Sequence, residues 1–473
     1  MTLTRVPKIH LFALVMLITG SIDSVRNLPA SALFGSELIF FFLLGALIFL
    51  IPVALVSAEL SSTFAAAEGG IYGWVRLAFG DSVAFLAIWL QWINTMVWYP
   101  TILSFIAATA AFLVNPALAS NKWYLLSVIL VTFWSLTFLN MKGLRTSANF
   151  ASFCAITGML IPMGLIVSLA IAWLFSGNPL QIKMDFAHLM PHLHESKSWI
   201  SLTAIMTSYL GMELASVHVN EVEHPRRTFP IAMLISVLLI MSTMVLGSLA
   251  IAFVLPHDKI NLVEGVMQTF QYFLETYHLA ELLPVIAVML LIGSLGGMVN
   301  WIISPAKGLL LAAHHGFLPH GLTKENEQAV PGRILVLQAV LVTIFTSLFF
   351  LVPSVNTAYW LLTDLSTELY MLMYVLMFLA ALRLRYKFAD IERPFAIPGG
   401  SLGIWLISGL GLIGCAITIT VGFLAPDNLP MNHGWSYGIV FAIGMAALLL
   451  PTIGFIAYRR THIEETRILT FGP

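Results

Sequence analysis

Asp364 and Glu368 stand four residues apart in the apolar stretch YWLLTDLSTELYMLMY. That spacing stacks both carboxylates on one face of a helix, about 6 Å apart along its axis. Two acids so close in a low dielectric cannot both ionise comfortably, so one is expected to hold a proton or face a cation. The chemistry on offer is proton coupling or attraction of an amine, although an acidic pair in an outer aqueous vestibule fits equally well. Asp23 and Arg26 raise a related question in TGSIDSVRNLP, residues 19–29. Gly20 and Ser21 loosen the backbone there and Pro29 removes a donor, which predicts an interruption in mid-segment. Two plainer readings stand beside it: a kinked helix with Asp23 and Arg26 paired at i, i+3, or an early helix end from which Arg26 reaches the interface. Glu213 is a further acid inside an apolar run, in TSYLGMELASVHVNE with Gly211 and Ser216, and Pro225 follows shortly after.

Neutral polar groups are also concentrated. Gln91, Asn94 and Thr95 in IWLQWINTMVWYP could line a pocket or join helices. In GSLGGMVNWIISPAKG the glycines suggest a close packing seam, and Asn300 and Trp301 follow, the latter placed to cap a solute. No HExxH, GxSxG or glycine-loop lysine motif occurs, so no enzyme chemistry and no catalytic residue are indicated. Cys154 and Cys415 lie far apart in apolar runs, which predicts neither a disulfide nor a metal site, and no cofactor is implied.

The elements that must hold these residues are membrane helices. The chain has 473 residues, 59% hydrophobic and only 10% charged, where soluble domains carry about 25% charged residues. With about 20 apolar residues per crossing, spans are expected near 9–33, 38–62, 82–114, 122–140, 149–176, 198–220, 228–256, 278–312, 333–352, 356–386, 401–425 and 434–459. The first is read as a retained helix, not a cleaved signal. Of the 22 Lys and Arg, only Lys122, Lys183, Lys197 and Lys259 fall on the side opposite the N-terminus, and Arg26 lies within a span. The bias predicts that both termini are cytoplasmic. The opposite loops carry His188, His192, His194, His257 and His278 beside Asp185, Glu195, Asp258 and Glu264. They read as solvated residues or as a pH-responsive surface. A net charge of −1 implies no nucleic-acid partner; the expected partners are the lipid bilayer and a small solute.

Glycine-interrupted, acid-bearing segments at span positions one and six occupy corresponding places if the first ten spans form two five-helix repeats. That pattern points to an inverted-repeat secondary transporter. The stretch SYLGMELASVHVNEVEHPRRTFPIAM then resembles the sixth-helix signature of the amino acid, polyamine and organocation superfamily, and HVNE, INLVEGVMQTF, WIISPAKG and RPFAIPGG resemble its glutamate:GABA antiporter branch. The resemblance runs from about residue 8 to 460. It implies an all-α integral membrane protein of twelve transmembrane helices: a LeuT-like five-plus-five inverted repeat (about 9–176 and 198–386) with discontinuous helices 1 and 6, plus two extra helices (about 401–459), all in one domain. It also implies exchange of an external amino acid for an internal one or its decarboxylated amine. Ile22, Asp23 and Ser24 would form the first unwound stretch, Tyr209, Leu210 and Gly211 the second, and Glu213 would link gate movement to substrate or proton.

Three departures qualify the match. Asp364 and Glu368 replace apolar residues, Asp23 replaces a small or apolar one, and the short stretch after Tyr458 leaves no room for the long C-terminal plug of members that close at neutral pH. The resulting expectation is an amino acid transporter of the bacterial inner membrane, an antiporter and proton-linked. Its substrate would contact Ile22, Asp23, Ser24, Gln91, Thr95, Thr207, Ser208, Tyr209, Leu210, Gly211 and Trp301, with Glu213, Asp364 and Glu368 serving gating or proton coupling. The amine would lie near Asp23 and the carboxylate near a half-helix N-terminus. The excess of acids favours zwitterionic or cationic solutes. A proton- or sodium-coupled symporter or uniporter is the alternative; a channel or receptor finds no supporting feature.

Overall fold

The computed structural model describes residues 9–64, 70–143, 148–191, 196–215, 222–424 and 437–470. Expected contributions of His192, His194, Glu195, Ser216, Asn220, Glu221 and the Asn300 side chain lie outside the described residues. The helices are α1 (Leu11–Ile22), α2 (Leu28–Ala32), α3 (Leu38–Gly45), α4 (Ile51–Thr63), α5 (Ile71–Phe79), α6 (Asp81–Ala111), α7 (Lys122–Met141), α8 (Ala148–Ala155), α9 (Ile161–Phe175) and α10 (Phe186–Leu189). They continue as α11 (Ser196–Thr207), α12 (Pro225–Val254), α13 (Gly265–Thr276), α14 (Leu283–His314), α15 (Gly332–Thr346), α16 (Leu348–Leu351), α17 (Val355–Lys387), α18 (Gly400–Val421) and α19 (Tyr437–Thr470). Among the described residues the only β-pairing is one parallel bridge between Ile9 and Val222.

Ten segments among the described residues are long and apolar enough to cross a membrane. Each matches an expected span to within a few residues, from Leu11–Ala32 to Tyr437–Thr461. The other two expected spans differ for physical reasons. The third is the 31-residue helix α6, whose Gln91, Asn94 and several Trp and Tyr lower its mean hydropathy. The sixth, expected near 198–220, leaves the helical path after Thr207.

Two spans carry a π-helical turn. Ala46–Leu50 joins α3 to α4 and Ile156–Leu160 joins α8 to α9, each turn two residues ahead of a proline, Pro52 or Pro162. A proline inside a helix removes one hydrogen bond and crowds the carbonyl four residues back, which a wider turn absorbs. Both turns are sites of close packing. A Cβ on Gly414 of α18 would lie 2.7 Å from the Ile48 carbonyl oxygen, and one on Gly293 of α14 would lie 2.4 Å from the Gly158 Cα. The expected glycine seam is thus present at Gly293 and at Gly296, whose Cβ would strike Cys154 Sγ at 2.3 Å.

At the centre, α17 lies along α6 and also touches α5, α11 and α18, while α1 packs on α12. Nearly every residue of α17 from Thr357 to Tyr374 is buried, including its acids and hydroxyls.

Candidate functional site

The site is built where two helices stop. After α1, Asp23 and Ser24 are extended (φ −68°, ψ 126° and φ −146°, ψ 119°), and a single 3-10 turn, Val25–Asn27, leads into α2. After α11 the chain turns through residues 208–211 and resumes as a 3-10 turn over 212–215. Gly211 carries the change of direction at φ +107°, a conformation that L side chains rarely adopt. A Cβ there would also meet the Ser21 carbonyl oxygen at 3.2 Å and Ile22 at 3.6 Å. The two interruptions therefore touch, and the Ile9–Val222 bridge ties the same two segments at one end.

Glu213 fixes this junction to its surroundings. Its carboxylate accepts from Gln91 Nε2 at 3.1 Å, from the Tyr370 hydroxyl at 2.5 Å and from the Tyr374 hydroxyl. Tyr374 in turn accepts from the Gly211 N–H at 2.8 Å. Helices α6 and α17 and the 3-10 turn after α11 thus meet through one buried carboxyl group. The sequence singled out Gln91, Gly211 and Glu213; the tyrosines, one α17 turn apart, lacked any motif to mark them.

Asp23 and Arg26 do not form the local ion pair, and Arg26 does not reach an interface. Asp23 accepts from Thr243 of α12 at 2.7 Å. Arg26 is 2% exposed. Its guanidinium donates to Thr101 Oγ1 at 2.5 Å and to the Tyr359 hydroxyl at 3.4 Å, and lies 5.1 Å from the Trp98 ring centroid and 5.9 Å from that of Tyr359. Arg26 Nε is buried without a partner. Among the described residues no carboxylate lies within ion-pair distance of it.

A small cavity lies between the second half of the first span, α11 and α17. Asn27, Ala30, Thr203, Ala204, Thr207, Tyr359, Trp360, Thr363 and Asp364 line it, and its free volume is about 10 Å³, room for about one water. Asp364 and Glu368 are both buried, so the vestibule reading does not hold. One Asp364 oxygen accepts from the Tyr437 hydroxyl of α19; among the described residues neither Glu368 oxygen has a partner, and Glu368 faces Gly422 beyond α18. Of this pair only Asp364 borders the cavity.

The remaining expected residues divide. Thr207 lines the cavity and bonds Thr367 at 2.6 Å. Ile22 is buried at the junction and Ser24 half-buried. Thr95 and Ser208 spend their hydroxyls on backbone carbonyls of Trp92 and Ala204 within their own helical stretches. Tyr209 turns away to the Phe42 carbonyl at 2.9 Å, and Leu210 is half-buried. Trp301 packs at a tilt against Trp98, ring centroids 5.2 Å apart, and Trp98 is the ring that faces Arg26. Trp301 therefore backs the guanidinium rather than capping the cavity. Asn27, Thr203, Tyr359, Trp360 and Thr363 were not marked beforehand, although Tyr359, Trp360 and Thr363 fall in the same α17 stretch as the acids.

Outside the spans, Asp185 and His188 bond each other, and that bond holds the Asp185 carboxyl below the usual carboxylate range. Burial pushes Glu264 above it. His257, Asp258 and His278 are exposed. Among the described residues no group of three or more His, Cys, Asp or Glu gathers around a metal-sized space.

Comparison with known proteins adds to this geometry. A family profile described as amino acid permease matches residues 9–448. An uncharacterized transporter of Legionella pneumophila is 42% identical over 425 residues, covering 90% of this chain and 91% of that protein. A glutamate/gamma-aminobutyrate antiporter of Lactococcus lactis is 30% identical over 468 residues, covering 97% and 93%. A protein of the same species named as a probable agmatine/putrescine antiporter is 22% identical over 464 residues, covering 96% and 95%.

Proposed function

Because the chain belongs to the amino acid permease family, we propose that it is a secondary transporter that exchanges an external amino acid for an internal amino acid or its decarboxylated amine. The observation that carries this reading is the contact of the two interrupted segments at Gly211 and Ser21. Broken helices that meet in mid-span offer unpaired backbone groups to a solute. The antiporter names of the relatives from Lactococcus lactis support exchange as the mode.

In this reading the chain forms one domain of twelve spans, α6 and the α11 segment completing the ten, as two five-helix repeats with two helices added. It lies in the bacterial inner membrane with both termini cytoplasmic. The cavity is too small for an amino acid, so uptake requires the α11 wall, Thr203 and Thr207, to part from Tyr359 and Trp360 of α17. Glu213 couples that movement to protons: ionised, it can accept all three of its hydrogen bonds, whereas a protonated carboxyl must donate one. Asp364 and Glu368, both buried on α17, supply further carboxyl groups for that coupling.

The test is counterflow in vesicles reconstituted with the purified protein. External labelled amino acid should accumulate only when the vesicles contain amino acid or amine, with no requirement for sodium. Sodium-dependent uptake that internal solute does not accelerate would favour a symporter instead.

A further inference from the structure

We propose that Arg26 and Asp364 are the two poles of the solute site, Arg26 meeting the carboxylate and Asp364 the ammonium group of a bound amino acid. The assignment rests on the transport reading above and goes beyond it by naming which side chains read the solute's charges.

Arg26 is a buried cation surrounded by rings and hydroxyls. A guanidinium keeps its charge in proteins, and its planar fork matches a carboxylate. Two half-buried arginines of this chain are neutralised: Arg385 bonds Glu59, and Arg393 lies 3.3 Å from the same carboxylate. Arg26 has no such partner among the described residues and retains an unpartnered Nε. An uncompensated charge out of water is unfavourable, and a carboxylate arriving with the solute would neutralise it.

The opposite pole stands on a cluster of unsatisfied groups. Asp364 Oδ1, Thr203 Oγ1 and Thr363 Oγ1 are buried with no hydrogen-bond partner among the described residues, and all three residues line the same cavity. Most buried polar atoms are paired, so several orphans around one space mark a place for a hydrogen-bonding occupant. An ammonium donates three bonds, matching the Asp364 carboxylate and the two threonine hydroxyls. Tyr359 joins the poles, since its hydroxyl accepts from the Arg26 guanidinium and donates to the Arg26 carbonyl, each at 3.4 Å, and it forms part of the cavity wall. Asp364 follows it by five residues, about 7.5 Å along α17. Asp23, by contrast, is turned toward Thr243 of α12. A diamine, which lacks the carboxylate, would leave Arg26 uncompensated.

The experiment uses the full-length protein in vesicles and the amino acid it exchanges best from a labelled panel. That amino acid is compared with its decarboxylated amine and its deaminated acid as competitors. For the wild type both truncated compounds, added outside, should compete on the order of 100-fold more weakly, since on that side the amine is the species released and not the one taken up. Arg26→Gln should weaken the amino acid by a similar factor and leave the amine unchanged; Asp364→Asn should weaken the amino acid and leave the deaminated acid unchanged. Equal weakening of whole and truncated compounds by a variant, or no weakening at all, overturns the assignment while the transport reading stands. If the wild type exchanges no amino acid, both fall. Should either variant fail to fold, wild-type competition decides: an amine as effective as its parent amino acid removes Arg26 from the site, and an equally effective deaminated acid removes Asp364.

Discussion

Two sets of buried charges in this chain are built in opposite ways. Near the end of α4, Glu59 bonds Arg385, lies 3.3 Å from Arg393 and accepts the Ile397 N–H at 2.8 Å. Around the interrupted segments Asp23, Arg26, Glu213, Asp364 and Glu368 are as deeply buried, yet among the described residues none forms an ion pair. The first set is complete and ties α4 to α17 and to the stretch before α18. The second is completed by hydroxyls and rings, or left incomplete. Pairing thus separates charges that tie helices together from charges with no opposite partner among the described residues.

The contrast predicts its largest effect at Glu59. Glu59→Ala would leave two arginines and a buried N–H uncompensated and should cost about 3–5 kcal/mol, read as a lower unfolding midpoint or loss of monodisperse protein in detergent. Arg26→Met removes a charge with no carboxylate partner, so its midpoint should hold or rise. A fall as large as that of Glu59→Ala would erase the distinction. Next comes Glu213→Gln, which keeps the shape but exchanges an acceptor for a donor facing tyrosine hydroxyls. About 1.5–3 kcal/mol of charged hydrogen bonding is at stake, equivalent to roughly 10- to 100-fold in exchange rate. Unchanged turnover and pH profile would refute the coupling role.

Glycines give a smaller and sharper pair. Gly211→Ala should cost about 1–2 kcal/mol for its left-handed backbone alone, with added pressure on the Ser21 carbonyl. Gly297→Ala, in helix α14 with nothing within 4 Å of the added Cβ, should stabilise by about 0.5–1 kcal/mol. Thermal unfolding of the two variants in opposite directions is the expected result.

The smallest effect belongs to Asp81 at the end of the bundle. Burial pushes this carboxyl up, but Arg459 at 2.5 Å and Arg76 at 2.8 Å outweigh it and hold it below its ordinary range. With the folded value depressed, its contribution is full above pH about 4 and is lost as acid takes the group through its folded value. Asp81→Asn should remove about 1 kcal/mol near neutral pH and flatten the acid limb of the stability profile. An unaltered limb would assign the arginines another role.

Much of the fold was legible because lipid imposes a simple rule. Runs such as FFFLLGALIFLIPVALV announce a span without any tertiary information. The break at Asp23 was legible too, from Gly20 and Pro29 beside charges, and so was Gly211, the one residue type suited to its turn. Partners were not. Nothing in the spacing of Asp23 and Arg26 says that they face α12 and α6 respectively, nor that Tyr370 and Tyr374 converge on Glu213. Trp301 looked like a cap because it follows a glycine seam, but its neighbour across space is Trp98.

Hydrophobicity, charge bias and glycine placement by themselves determined that this chain crosses the membrane many times and interrupts its helices near buried acids. These are one-dimensional properties, set by the solvent that each stretch must meet. Only the tertiary structure decided which charges stay unpaired. Pairing depends on side chains brought together from distant helices, as Arg26 is with Thr101 and Tyr359, and no local period in the sequence encodes that meeting.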